Sequence, residues 1–326
     1  MGACFSSSAG DHQIPKVHQM QTVHEVGLCF ESENIGKVGS LFSKVGAKGT
    51  NQDSAVLCQK YGMEDGVLGG VFDGHGVNGH EVSQIVKARL PGLLLSQMKL
   101  LADAHNSKKT LAMYNVVEKW KEATVSAFKA MDKEIKFTPN SDFKASGTTA
   151  VLVIKQGEDL VIANLGDSRA VLGTVTNHGI VALPLTIDHK PSVADEAERI
   201  KQCNGRVLAL AKEPHILRLW LPFEDVPGLA MTRALGDFQL KSHGVIPVPE
   251  ILHHRISPAD QFVVLATDGV WDVLSNERVM SIASSVENKE GVAEAIVHAA
   301  TAEWKTKYPN ATIDDCTVVY LSLKDA

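Results

Sequence analysis

The sequence predicts an α+β fold, with strands and helices grouped rather than strictly alternated. Two observations carry this. Thr148 to Ile154 and Leu160 to Leu165 are apolar runs joined through Gln156-Gly157-Glu158-Asp159, a turn that makes them a hairpin. Thr110 to Lys136, by contrast, repeats Val116, Val117, Trp120, Ala123, Ala127 and Met131 at the spacing of one helical face.

Taken in order, residues 1 to about 35 read as a flexible polar segment with Ser6-Ser7-Ser8, Gly10 and Pro15. Val26 to Phe30 interrupts it as an apolar stretch suited to an edge strand. From residue 36 to residue 326 the chain reads as a single domain without a linker. Ser54 to Cys58 and Val67 to Phe72 are strands. Asn78 to Met98 is a helix that Pro91 kinks or divides. Ala170 to Gly173 is a further strand. Ser192 and Asp195, after Pro191, open a helix that reaches about Cys203. Residues 211–248 hold four prolines and Trp220, and read as an extended loop over one face. Gln261 to Ala266 is a buried strand, two helices start near Asn276 and Gly291, and Cys316 to Leu323 is a closing strand.

The composition is that of a globular protein, 44% hydrophobic and 21% charged over 326 residues, enough for a full core. The net charge of −6, with basic residues unclustered, argues against a nucleic-acid partner. Five widely spaced cysteines without a C-x-x-C pair argue against a disulfide framework or zinc knuckle, and favour a reducing, intracellular compartment. No apolar run approaches the roughly 18 residues of a membrane span.

Three strand-like runs end in Asp followed by a turn-permitting or small residue: Val71-Phe72-Asp73-Gly74-His75-Gly76, Ala266-Thr267-Asp268-Gly269 and Ile313-Asp314-Asp315-Cys316. Asp53, Asp167 and Asp272 add further carboxylates. Any one Asp-Gly pair is an ordinary turn. As a set, oxygen-only donors suit Mg²⁺ or Mn²⁺ rather than zinc. Two such ions about 3.5–4 Å apart activate a water and clamp an in-line displacement at phosphorus.

In the order Asn51-Gln52-Asp53, Val71 to Gly76, Ser146-Gly147-Thr148-Thr149-Ala150, Gly166-Asp167-Ser168-Arg169, Asp188-His189-Lys190-Pro191, Thr232-Arg233-Ala234-Leu235-Gly236-Asp237, Thr267 to Asp272 and Asp314-Asp315-Cys316, the chain resembles the metal-dependent Ser/Thr protein phosphatases of type 2C. The resemblance spans about Gly39 to Leu323 and points to the plant branch. It implies two central antiparallel sheets packed face to face with helices outside each. It also implies hydrolysis of phosphoserine and phosphothreonine in phosphoprotein substrates by a metal-bridging water, without a phosphoenzyme. By position, Asp73 bridges two ions, the Gly74 carbonyl is a ligand, Asp268 and Asp315 hold one ion, and Asp53 supports the site through bound water. Asp167 and Asp272 match a third, weaker ion. His75 matches the general acid, a role suited to an imidazole of pKa about 6.5.

Two departures stand out. Lys48 replaces the Arg the family often uses for substrate phosphate, giving a point charge without a bidentate fork. Gln52 replaces a frequent Glu. The expectation is weaker metal or phosphate affinity, not inactivity. The alternative is a catalytically weak scaffold that binds phosphoproteins. Gly74-His75-Gly76-Val77-Asn78-Gly79 also fits a dinucleotide-binding pattern, but lacks an acidic residue about 20 positions on. No cysteine has Arg six positions later, which excludes thiolate phosphatase chemistry of that type. His253-His254 reads as an exposed strand-end pair.

Met1-Gly2-Ala3-Cys4-Phe5-Ser6 fits N-myristoylation at Gly2, with Cys4 as a palmitoylation site. Two acyl chains anchor stably where one does not. The expected location is therefore intracellular, cytoplasm or nucleus, with an acyl anchor at the plasma membrane. Oligomeric state is left open.

Overall fold

The structure, a computed structural model, describes residues 28–30, 38–107 and 116–324. Gly2 and Cys4 lie outside them. Two large antiparallel sheets form the centre. The first contains β1 (Leu28–Phe30), β3 (Asp53–Gln59), β4 (Val67–His75), β6 (Ala150–Gln156), β7 (Asp159–Leu165) and β14 (Glu250–Arg255), side by side in that order. The short strands β5 (Gly147–Thr148) and β13 (Leu235–Gly236) extend it beyond the end of β4. The second runs β2 (Gly39–Lys44), β16 (Cys316–Ser322), β15 (Asp260–Ala266), β8 (Arg169–Thr176), β9 (Gly179–Pro184).

The sheets pack face to face through Leu57, Val71, Val153 and Ile162 of the first and Leu172, Val263, Leu265 and Val319 of the second. Alternate residues of the first sheet, Val56, Leu68, Phe72 and Ile154, point the other way. They meet α1 (Gly79–Ser107) and α2 (Val116–Lys136) through Val86, Leu90, Phe128 and Met131. On the far side, Phe262, Val264 and Val318 meet the short α4 (Asp268–Trp271), α5 (Asn276–Ser285) and α6 (Val292–Lys307). The result is an α/β/β/α sandwich, as the resemblance implied. Both faces of the central strands are covered, so β3 and β16 are almost continuously apolar instead of alternating.

Pro91 neither divides nor ends its helix: α1 runs through it for 29 residues. The prolyl carbonyl, on the buried side, accepts a 2.7 Å hydrogen bond from the Tyr61 hydroxyl. The edge strand expected at residues 26–30 is β1, so the sheet begins inside the segment read as a tail. The expected loop at 211–248 is more ordered than its prolines suggested. Its β11 (Glu213–Trp220) and β12 (Pro227–Leu229) join β10 (Arg206–Leu210), which follows α3 (Ala194–Gln202), in a separate three-stranded sheet. Trp220 anchors that sheet with its indole N–H on the Leu208 carbonyl. The antiparallel order also removes the dinucleotide-binding reading, which needs parallel strands around a crossover helix. Cys58 is disulfide-bonded, with Cys29 opposite it in register, which the cysteine spacing did not anticipate; Cys203 and Cys316 are free thiols.

Phe128, fully buried between α2 and the first sheet, tests this packing. Phe128→Ala is expected to destabilise the protein by about 3–5 kcal/mol in chemical denaturation, through lost burial and a residual cavity.

Candidate active site

The site lies where strands of both sheets end. Antiparallel pairing of β3 with β4 sets Asp53 directly opposite Asp73. Each aspartate is fixed by threonines. Thr149 Oγ1 accepts from the Asp73 amide at 3.0 Å and contacts Ser168 Oγ, and the Thr149 amide donates to the Asp73 carbonyl. Asp53 Oδ2 accepts from Thr267 Oγ1 at 2.8 Å. Thr267 links the end of β15 to α4, which begins with Asp268, so β15 delivers Asp268 to the same place. Gly269 lets this turn of helix lie against β16, because a Cβ there would sit 1.9 Å from the Asp315 carbonyl. Gly74 is required for a similar reason: a Cβ would meet the carbonyls of Gly79 and Gln52 at 2.4 and 2.5 Å.

Electrostatics show which carboxylates share the site. Burial, then Asp268, Asp53, Asp314 and Asp167, pushes Asp73 well above the ordinary carboxylate range. Burial, then Asp167, Asp272 and Asp314, does the same to Asp268, with Asp73 partly opposing them. Burial, with Asp315 and Asp314 nearby, pushes Asp53 up to about 7 against the stabilising bonds from Thr317 and Thr267. Burial and Asp167 also raise Asp272, although Lys190 opposes them. Asp167 has a buried Oδ1 without a partner among the described residues, while its Oδ2 lies 3.4 Å from Lys190 Nζ.

Asp315 is placed differently from the expectation. Its Oδ1 accepts from the Gly46 amide at 2.7 Å and its Oδ2 from the Gln52 amide at 2.8 Å. Both oxygens are engaged in bracing the β2–β3 connection. The neighbouring Asp314 acts on Asp73, Asp268 and Asp272, joins Asp315 in acting on Asp53, and pairs with Lys48. Burial lowers the Lys48 pKa, but Asp314, then Asp268 and Asp73, more than offset this and hold it above its ordinary value. Lys48 thus belongs to the site through Asp314.

The sequence reading missed two partners. Asp237 Oδ2 lies 2.6 Å from His75 Nε2. Burial opposes a charged His75, but the Asp237 carboxylate, its hydrogen bond and Asp167 outweigh burial and raise the pKa above 6.5. Asp237 reaches it because Gly147 leaves room; a Cβ there would lie 2.2 Å from Asp237 Oδ2. Lys190 is the second: burial lowers its pKa, but Asp167, Asp272, Asp268 and Asp188 raise it further. Both stand in quoted motifs, so their positions were visible and their roles were not. His253 and His254 are no metal pair; they bond to Asp159 and Asp260 at 2.8 and 2.9 Å.

Among the described residues, no three carboxylate, imidazole or thiol groups close on one point as an ion's ligand shell. The donor set nonetheless fits hard cations. It is all oxygen, its members raise one another's pKa, and Asp167 keeps a buried unpartnered oxygen.

Such a cluster at the rim of a two-sheet sandwich, with a lysine and a carboxylate-bonded histidine beside it, defines a metal-dependent phosphohydrolase. The sequence model described as Protein phosphatase 2C matches residues 43–307. The chain is 48% identical to "Probable protein phosphatase 2C 12" of Oryza sativa subsp. japonica, over 100% of this chain and 92% of the relative. It is 47% identical to "Probable protein phosphatase 2C 72" of Arabidopsis thaliana, over 100% and 98%. A crystal structure of serine-threonine phosphatase 2C from Toxoplasma gondii superposes with a TM-score of 0.79 at 25% identity, covering 91% of this chain and 99% of that one. The chain belongs to the protein phosphatase 2C family, and is a Mg²⁺- or Mn²⁺-dependent protein Ser/Thr phosphatase related to plant members. Nothing in these likenesses favours a scaffold.

The raised pKa of Asp53 gives a pH test. A carboxyl held above its unfolded value stabilises the fold at low pH and loses that contribution as pH rises. In chelator, Tm is expected to fall between about pH 4 and about pH 7, the ordinary and folded values of Asp53. Asp53→Asn flattens this slope, and added Mn²⁺ raises Tm most at the upper end.

Proposed function

We infer that Asp73, Asp268 and Asp314, with the Gly74 carbonyl, hold two ions per site, and that Asp167 and Asp272 hold a third more weakly. The electrostatic crowding of Asp73, Asp268, Asp314 and Asp167 carries this reading, with the buried, unpartnered Asp167 Oδ1 among them. Asp53 supports the site from the opposite strand. When bound, the ions supply Lewis acidity and an activated water.

The chain's own groups do the rest. Lys48, paired with Asp314, and Lys190, beside Asp167, attract the phosphoryl group of a phosphoprotein. His75 Nε2 is held by Asp237, and Nδ1 is buried without a partner among the described residues. His75 is the group assigned to carry a proton to the leaving serine or threonine oxygen. Asp237 orients the ring and stabilises its protonated form.

Asp315 has the bracing role its bonds describe. Steady-state assays on a phosphothreonine peptide distinguish it from Asp314. Asp314→Asn is expected to raise the Mn²⁺ concentration for half-activation about tenfold or more, a difference of about 1.4 kcal/mol or more in metal binding, with Tm nearly unchanged. Asp315→Asn is expected to cost about 1.5–3 kcal/mol of stability through its charge-assisted bonds. The reverse pattern returns the ligand role to Asp315.

The N-terminal pattern supports a second reading: myristate at Gly2 and palmitate at Cys4 attach the enzyme to the plasma membrane, leaving unmodified protein in the cytoplasm or nucleus. Gly2→Ala is expected to move the protein from the membrane to the soluble fraction of plant cells; unchanged fractionation refutes the anchor.

A further inference from the structure

The two central sheets part on one side of the sandwich, where β14 ends the first and β9 ends the second. A cavity of about 240 Å³ opens there, lined by Ile162, Asn164, Leu185, Ile187, Glu250 and Leu252. Its walls are mainly apolar and its rim stays exposed: Ile187 is 65% accessible and Leu252 43%. An apolar surface of this kind is a common mark of a binding site.

One polar group inside is unsatisfied. Asn164 is 2% exposed, and its Nδ2 donates to the Ile187 carbonyl at 2.8 Å. That bond fixes the amide orientation, because only the nitrogen can donate. Oδ1 is left buried with no partner among the described residues. A buried acceptor without a donor is destabilising, so the cleft favours an N–H or O–H donor. At the mouth stands the half-exposed Glu250 carboxylate. His189 Nδ1 accepts from the Gly166 amide, so its other nitrogen, 3.2 Å from Glu250, carries the proton of a neutral ring. The polar contacts on offer, the Asn164 oxygen inside and the Glu250 carboxylate at the mouth, suit a donor and a cation.

The cleft also continues toward the catalytic acids. A second hollow of about 310 Å³, lined by Arg169, Asp188, Lys190 and Asn276, shares Pro184, Thr186 and Ile187 with the first. Lys190 at its far side reaches Asp167. An extended chain follows this route, and recognition by alternate side chains and main-chain N–H groups suits the shape.

We propose that the cleft docks an extended segment of the substrate phosphoprotein, with one apolar side chain in the cavity, an N–H on Asn164 Oδ1 and a lysine or arginine beside Glu250. The link to substrate rests on the phosphatase assignment; the cleft itself is tested independently of catalysis.

In the first arm, the full chain carrying labelled Ile and Leu methyl groups is titrated with acetyl-Ala-Leu-Lys-Ala-amide and followed by NMR. Saturable shifts at Ile162, Ile187 and Leu252 are expected, with a Kd on the order of 1 mM. Serine in place of the peptide leucine, or Leu252→Asp in the protein, abolishes them. Glutamate in place of the peptide lysine weakens binding about tenfold. Absent shifts, or equal shifts from all three peptides, overturn the proposal. An equal response to n-hexylammonium makes this a small-amine site and overturns the peptide assignment.

In the second arm, a phosphothreonine peptide is compared with versions carrying Leu-Lys at several spacings. At least one spacing is expected to lower KM about tenfold, an advantage lost in Leu252→Asp while p-nitrophenyl phosphate turnover is unchanged. No advantage at any spacing severs the cleft from catalysis. Absence of Mn²⁺-dependent p-nitrophenyl phosphate turnover instead refutes the catalytic assignment, and the NMR arm still judges the cleft.

Discussion

Asp53 and Asp73 face each other across neighbouring antiparallel strands, and much of the molecule answers the problem this creates. Like charges in a buried site repel, and burial itself disfavours ionisation. The fold meets this by locking backbone and side chains before any charge is balanced. Thr149, Ser168 and Thr267 hold the two aspartates from neighbouring strands of both sheets. Gly74 and Gly269 let backbones approach to distances that no side chain tolerates. The long apolar strands provide a rigid frame, so the carboxylates cannot relieve their repulsion by moving apart.

The surrounding cations complete this arrangement. Lys48 and Lys190, both at least partly exposed, are held in their charged form by several aspartates each. Arg169 forks onto both oxygens of Asp188, donates to Asn276 and lies over the Trp271 ring at 5.2 Å, tying the acidic turn after β7 to α5. A second network supports His75 from a distance. Glu196, held below the ordinary carboxylate range by bonds from Arg199, Arg233 and Thr232 that outweigh its burial, anchors the segment leading to Asp237. Breaking such a buried set leaves an uncompensated charge, so its value lies in fixing geometry more than in net stability.

Features encoded locally were legible in the sequence. The β6–β7 hairpin and α2 show their own turn and period, and the Asp-Gly segments mark strand ends. Features decided by tertiary contact were not. β9 and β14 are edge strands with mixed, half-exposed residues, and β10 to β12 pack mainly on one another. Asp314 and Asp315 show the limit most clearly. Successive residues of an extended chain point to opposite sides, so the choice between two adjacent carboxylates depends on how β16 docks against β2 and β3. Composition and spacing carry no information on that. Asp237 was hidden for a similar reason: it is 162 residues from His75, and only the pairing of β13 with β5, and β5 with β4, brings them together.

The same tertiary view revises the meaning of Gln52. As a neutral replacement for a frequent glutamate, it suggested a weakened ion site. In the structure its amide binds Asp315, its carbonyl accepts from Gly74 and from Ser83, and its side-chain nitrogen donates to the Gly76 carbonyl at 3.0 Å. Gln52 therefore links the Asp315 brace to the turn that carries Gly74 and His75. An amide serves that position better than a carboxylate, because a carboxylate has no donor for Gly76 and would add another negative charge beside Asp53 and Asp73. A glutamine at residue 52 exchanges charge beside Asp53 and Asp73 for rigidity of the turn.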